Sequence, residues 1–141
     1  MMVDGSVVSR MDRSALMASI RGKDTRPEMT VRRLVHRLGY RYRLHRRDLP
    51  GSPDLVFPSR RRVIFVHGCF WHRHDCPLGK KTPRVRPEYW LPKLARNHER
   101  DIAVRDRLCQ LGWETLVIWE CELRRLPASS LKRKISAFLD R

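Results

Sequence analysis

The chain has 141 residues, 41% of them hydrophobic, which suits a single domain with its own core and excludes a disordered basic tail. Its 31 Lys and Arg stand against 15 Asp and Glu, a formal net charge of +16, so nucleic acid is the first partner to consider. No run approaches the ~20 apolar residues of a membrane span, and the N-terminus has no apolar h-region, so a cytoplasmic, non-membrane protein is expected.

Residues 1–13 show no clear pattern and read as a mobile segment, with a single domain over 14–141. Ser14 caps a short helix carrying Leu16, Met17 and Ile20. Thr25-Arg-Pro-Glu28 has the form of a capping box with proline in the first turn. Met29 or Val31, Leu34, Val35 and Leu38 then recur at helical spacing until Gly39. Tyr40 to Leu44 reads as a strand and Leu49-Pro-Gly-Ser-Pro53 as a turn. Asp54-Leu-Val-Phe57 and Arg62 to His67 read as two strands of a hairpin. A ligand-rich loop runs to about Pro87, and a long helix covers roughly Glu88 to Leu111, with Pro92 expected in its first turn. Trp113 to Trp119 forms a last strand, and Ser129 or Ser130 caps a last helix through Leu139. The class is α/β: a mixed sheet flanked by helices.

His67-Gly-Cys-Phe-Trp-His-Arg-His-Asp-Cys76 carries most of the chemistry. Cys69, His74 and Cys76 have the ligand types and spacing of a zinc site, and Cys121, just past the last strand, is either the fourth ligand or a buried thiol. Four N/S ligands leave no open position, so such a site is structural and holds a loop that has little core of its own. Cysteine beside histidine in a cytosol-like chain favours metal over disulfides. Cys109 lies within the long helix and reads as a small core or surface residue.

Asp54, at a strand start, is either a turn residue or a ligand for a divalent ion of the kind that phosphodiester cleavage needs. His67 and His72 lie outside the zinc set, and either suits a general base, because imidazole titrates near neutrality. Glu28 is either a helix cap or a residue that orients a water or a histidine. Phe70-Trp71 forms an aromatic platform for stacking on bases. Trp90, Lys93 and Asn97 fall on one helical face. Trp113 and Trp119 read as structural.

The runs Leu49-Pro-Gly-Ser-Pro-Asp54, Val63-Ile-Phe-Val-His-Gly-Cys-Phe-Trp-His72, Glu88-Tyr-Trp-Leu91, Asn97-His-Glu-Arg-Asp101 and Gly112-Trp113 through Trp119-Glu-Cys121 resemble the very short patch repair (Vsr) endonucleases. The resemblance spans about Ser14 to Cys121. It implies a restriction-endonuclease-like core that nicks DNA 5′ of the thymine in a T:G mismatch, the product of 5-methylcytosine deamination. Pro53-Asp54 stands at the Pro-Asp signature of that superfamily, and Phe65-Val66-His67 replaces the usual acidic-x-lysine motif. The resemblance further implies that Asp54 and the Val66 carbonyl bind magnesium, where the family often has threonine in place of Val66. His72 activates water, His67 stabilises the phosphate or leaving group, and Glu28 supports the site. Cys69, His74, Cys76 and Cys121 hold zinc, with Arg73 and Asp75 interrupting the family's histidine-rich run. Phe70, Trp71 and Trp90 enter the duplex from the major groove, Met17 wedges from the minor groove, and Lys93 and Asn97 contact the mismatch. A T:G pair stacks poorly, so inserted rings read it at low cost.

The implied setting is a prokaryotic, nucleoid-associated monomer acting on double-stranded DNA, with other DNA repair proteins as partners. Two alternatives remain: a related nuclease of relaxed or restriction-like specificity, and a zinc-stabilised DNA-binding module without chemistry.

Overall fold

The computed structural model describes residues 25–141. The segment over 1–13, the helix expected at Ser14 and the wedge residue Met17 lie outside the described residues. Helix α1 is Arg26–Arg37, entered through Thr25, whose Oγ1 accepts the Glu28 N–H at 3.3 Å. The Glu28 carboxylate is engaged by Arg32 and His45. Gly39, at φ +87°, lets the chain leave the helix.

Strands β1 (Arg43–Leu44), β2 (Leu55–Phe57), β3 (Arg62–His67) and β4 (Glu114–Trp119) form one sheet in the order β1-β2-β3-β4. The first three are antiparallel neighbours, and β3 pairs with β4 in parallel. The hairpin expected from the two middle strands is present, closed by a 3-10 turn at Pro58–Arg60. The strand expected over Tyr40 to Leu44 shrinks to its last two residues. Tyr40 and Tyr42 instead pack against the core from the chain leading into it.

The β3–β4 crossover contains the long helix α2, Pro87–Gln110. Pro92 sits six residues in, past the first turn, where proline removes an intrahelical bond. Helix α3, Glu120–Arg125, was not expected. Helix α4 is Ala128–Leu139 and starts from Pro127 with no side-chain cap, so neither Ser129 nor Ser130 plays the role read from the sequence.

Alternation along β3 builds a three-layer core. Ile64 joins Val31, Leu34 and Val35 of α1 and Leu131, Ile135, Phe138 and Leu139 of α4 on one face. Val63 and Phe65 join Leu108 of α2 on the other. Each fully buried aliphatic or aromatic side chain contributes roughly 1.5–3 kcal/mol, so these two faces fix the register. Parallel pairing of His67 with Trp119 brings the ends of β3 and β4 side by side. Everything chemically reactive follows from that edge.

Candidate active site and metal centre

The chain leaves β3 through Gly68 and β4 through Glu120, so Cys69 and Cys121 lie equivalent steps beyond a paired position. The loop turns back through His74 and Cys76, with Cys76 N–H donating to the His74 carbonyl at 2.8 Å. One donor atom from each of Cys69, His74, Cys76 and Cys121 lies within 4.8 Å of the others, and none of the four cysteines is in a disulfide. Three thiols and one imidazole suit a metal ion of zinc type. Burial pushes the Cys69 thiol up to about 12. Backbone N–H groups already point at the sulfurs: Gly79 to Cys76 and Cys121 to Cys69, each at 3.4 Å. Gly79 has no alternative here, because a Cβ would stand 2.0 Å from the His74 carbonyl oxygen.

His67 occupies the same sheet face as Phe65 and Val63, two and four residues back, and therefore faces α2. Its ring stacks on that of His72 with centroids 3.8 Å apart and planes 3° apart. Burial, then the neighbouring His72, hold its pKa down to about 3, so it is neutral at physiological pH. His67 Nδ1 is buried with no hydrogen-bond partner among the described residues. His72 Nδ1 lies 2.5 Å from Asp101 Oδ2, a carboxylate projected from α2. That contact fixes the tautomer and leaves Nε2 as the acceptor.

Asp54 is the third component. The β2–β3 ladder ends at Leu55 opposite Ile64, and the Asp54 carboxylate takes over, accepting the Val66 N–H at 2.7 Å. A strand residue points its N–H and C=O to the same side, so the Val66 carbonyl faces the Asp54 edge too. Burial, together with the Glu28 carboxylate, raises the Asp54 pKa well above the usual carboxylate range, despite the Val66 bond. A buried acid under that pressure is suited to a cation.

Asp54, His67 and His72 open onto a cavity of about 950 Å³. One wall is aromatic, with Phe70, Trp71 and Trp90 all half-buried. Phe70 and Trp71 meet edge to face at 5.2 Å, and Trp71 and Trp90 at 5.7 Å. The cavity is also lined by the cationic residues Arg26, Lys81, Arg84, Arg100, Arg105 and Arg124. Lys93 Nζ stands 5.8 Å over the Trp90 ring. Asn97 Nδ2 donates to the Trp71 carbonyl at 3.4 Å, so it also anchors the aromatic loop.

Three residues escaped the sequence reading. Asp101 closes the run Asn97-His-Glu-Arg-Asp101 but was given no role of its own. His45 follows a two-residue strand with no motif around it. Trp119, read as structural, stacks on His74 at 4.0 Å and meets His67 edge-on at 5.2 Å, which joins the metal cluster to the histidine pair.

Comparison with known proteins places the chain in a family. Residues 6–78 match the family model described as DNA mismatch endonuclease Vsr. A type II nicking enzyme, V.XorIIP of Xanthomonas oryzae pv. oryzae, is 52% identical over 128 residues, 91% of this chain and 92% of the relative. The chain belongs to the Vsr family. DNA mismatch endonuclease Vsr of Escherichia coli (strain K12) is 44% identical over 118 residues, 84% of this chain and 75% of the relative. Type II nicking enzyme V.HpaIIP of Haemophilus parainfluenzae, at 32% over 115 residues, covers 82% of both chains. As a Vsr family member the chain is a DNA endonuclease, a hydrolase acting on DNA, and the pure binding module is set aside. No helix among the described residues is long and apolar enough to cross a membrane.

Proposed function

We propose that this chain nicks one strand of double-stranded DNA on the 5′ side of the thymine in a T:G mismatch, by magnesium-dependent hydrolysis, on a restriction-endonuclease-like core. The observation that carries the reading is the convergence of Asp54, the stacked His67–His72 pair and Asp101 on one cavity with an aromatic wall. The name of the Escherichia coli relative, a DNA mismatch endonuclease, points to the same substrate.

In this reading Asp54 and the Val66 carbonyl hold magnesium, and valine serves because only main-chain oxygen is used. Bound there, the ion supplies charge neutralisation at the scissile phosphate. His72, oriented by Asp101, takes a proton from the attacking water at Nε2. Neutral His67 donates or accepts a hydrogen bond at the phosphate or the leaving oxygen. Glu28 supports the site from α1. Zinc on Cys69, His74, Cys76 and Cys121 holds the loop that carries Phe70, Trp71 and His72. Phe70, Trp71, Trp90 and Met17 enter the base stack, and Lys93 and Asn97 contact the mismatch. Base–aromatic stacking of roughly 1–3 kcal/mol per ring matches the cost of unstacking a weak step. The cationic residues lining the cavity neutralise phosphates. A single nick requires one active site, which fits a monomer acting beside other repair proteins in the cytoplasm.

The test is cleavage of a strand-labelled T:G duplex and its T:A control with magnesium. A nick only 5′ of the mismatched thymine supports the reading. Equal cutting of both duplexes favours a nicking nuclease of relaxed or restriction-like specificity; relatives such as V.XorIIP are named type II nicking enzymes.

A further inference from the structure

His45 stands where no motif would place a functional residue. The β1–β2 register pairs Leu44 with Leu55, so the next step sets His45 opposite Asp54. The backbone there turns left-handed, φ 48°, an uncommon conformation for a non-glycine residue, and the ring swings between two buried carboxylates. Its Nε2 lies 2.9 Å from Glu28 Oε2, and its Nδ1 lies 4.0 Å from Asp54 Oδ1. One donor atom each from Glu28, His45 and Asp54 falls within 4.8 Å of the others. Arg32 Nη2 also reaches Glu28 Oε2 and stands 3.1 Å from His45 Nε2, so Arg32 and the imidazole converge on one oxygen.

The two ring nitrogens differ in consequence. In the tautomer with its hydrogen on Nε2, the ring donates to Glu28 and turns the Nδ1 lone pair toward Asp54. The 4.0 Å gap is too long for a direct hydrogen bond, yet it accommodates a cation held at ~2.0–2.2 Å by each atom. A metal-binding histidine that gives its other N–H to a carboxylate is a recurrent arrangement, because the carboxylate fixes the tautomer and raises ligand basicity.

We propose that His45 Nδ1 is a nitrogen ligand of the divalent-cation site anchored by Asp54, with Glu28 orienting the imidazole. The inference rests on the reading of Asp54 as a cation ligand. It gives the site one donor that oxygen-only magnesium sites lack, and so favours borderline cations such as manganese over magnesium.

The experiment uses Mn2+ as the probe on the zinc-loaded full chain. Binding is titrated by electron paramagnetic resonance, and nitrogen coupling to bound Mn2+ is read by spin-echo modulation. Wild type, Asp54→Ala and His45→Gln are compared, each first checked for zinc content and duplex binding as evidence of folding. Glutamine keeps a polar side chain of similar reach but removes the imidazole nitrogen. The expected result is nitrogen modulation in the wild type, its loss in His45→Gln, and weaker Mn2+ binding there by on the order of tenfold or more. Unchanged modulation and an affinity within about twofold in His45→Gln would overturn the His45 assignment while leaving Asp54 as the anchor. Undiminished Mn2+ binding in Asp54→Ala would overturn the anchor, and the His45 assignment with it.

Discussion

Replacing Asp101 with asparagine perturbs the chemistry with little change in shape. The Asp101 carboxylate lies 2.5 Å from His72 Nδ1, and both side chains are only partly exposed, at 22% and 27%. Asparagine is nearly isosteric but neutral, and its amide can present N–H to Nδ1, which would turn the ring's proton onto Nε2. Loss of a charge-assisted hydrogen bond costs about 1.5–3 kcal/mol, or roughly 10–100-fold in rate at about 1.4 kcal/mol per decade. Reversal of the tautomer removes the base outright and extends the loss toward ~10⁴-fold. The assay is single-turnover nicking of a strand-labelled T:G duplex at saturating enzyme, so that binding drops out. Asp101→Asn should lower the rate constant by about 10²-fold or more, with duplex affinity and zinc content unchanged. A rate within about threefold of wild type, in a folded variant, would refute the claim that Asp101 orients the base.

Gly79→Ala should lose zinc and thermal stability together, because its Cβ would meet the His74 carbonyl oxygen at 2.0 Å; metal analysis and a melting curve check this, and the overpacking should cost about 1–3 kcal/mol or more. Trp71→Ala should lower the preference for T:G over T:A duplex by about tenfold to a hundredfold in competition binding, the worth of one stacked ring. His67 makes stability pH-dependent. Its folded pKa, about 3, lies below the usual 6.5, so its contribution is complete above about pH 6.5 and is lost as pH falls toward 3. Asp54, raised by burial, works in the opposite sense, its contribution lost as pH rises through its folded value. Urea unfolding of metal-free wild type and His67→Gln should therefore diverge by roughly 1.4 kcal/mol per pH unit below about pH 6.5, the wild type losing more.

The sequence exposes what is encoded locally. The continuous apolar run Val63 to Val66 within Arg62 to His67 marks a buried strand, but which side chains face which layer came only from the fold. The cluster over Cys69, His74 and Cys76 announces itself because ligands of one site lie within eight residues. Cys121 lies far away in sequence and was legible through its place just past the last strand, whose end Trp119 pairs with His67, and through the resemblance. Asp101 meets His72 because the α2 crossover folds back over the end of β3; the run Asn97 to Asp101 stood out in the sequence, but nothing in it gave Asp101 a role. His45 meets Asp54 through a register set by a two-residue strand, too short to show a period. Helix α3 was missed because Glu120–Arg125 is six residues long, with no buried residue to give it an apolar face.

The experiment to perform first is strand-resolved cleavage of T:G and matched T:A duplexes by the zinc-loaded protein in magnesium, with Asp54→Ala alongside. Wild type should nick only the thymine strand, immediately 5′ of the mismatched thymine, and leave the T:A duplex intact. Asp54→Ala should bind the T:G duplex and cut neither. Equal nicking of both duplexes would contradict mismatch recognition, and continued nicking by Asp54→Ala would contradict the placement of the catalytic cation.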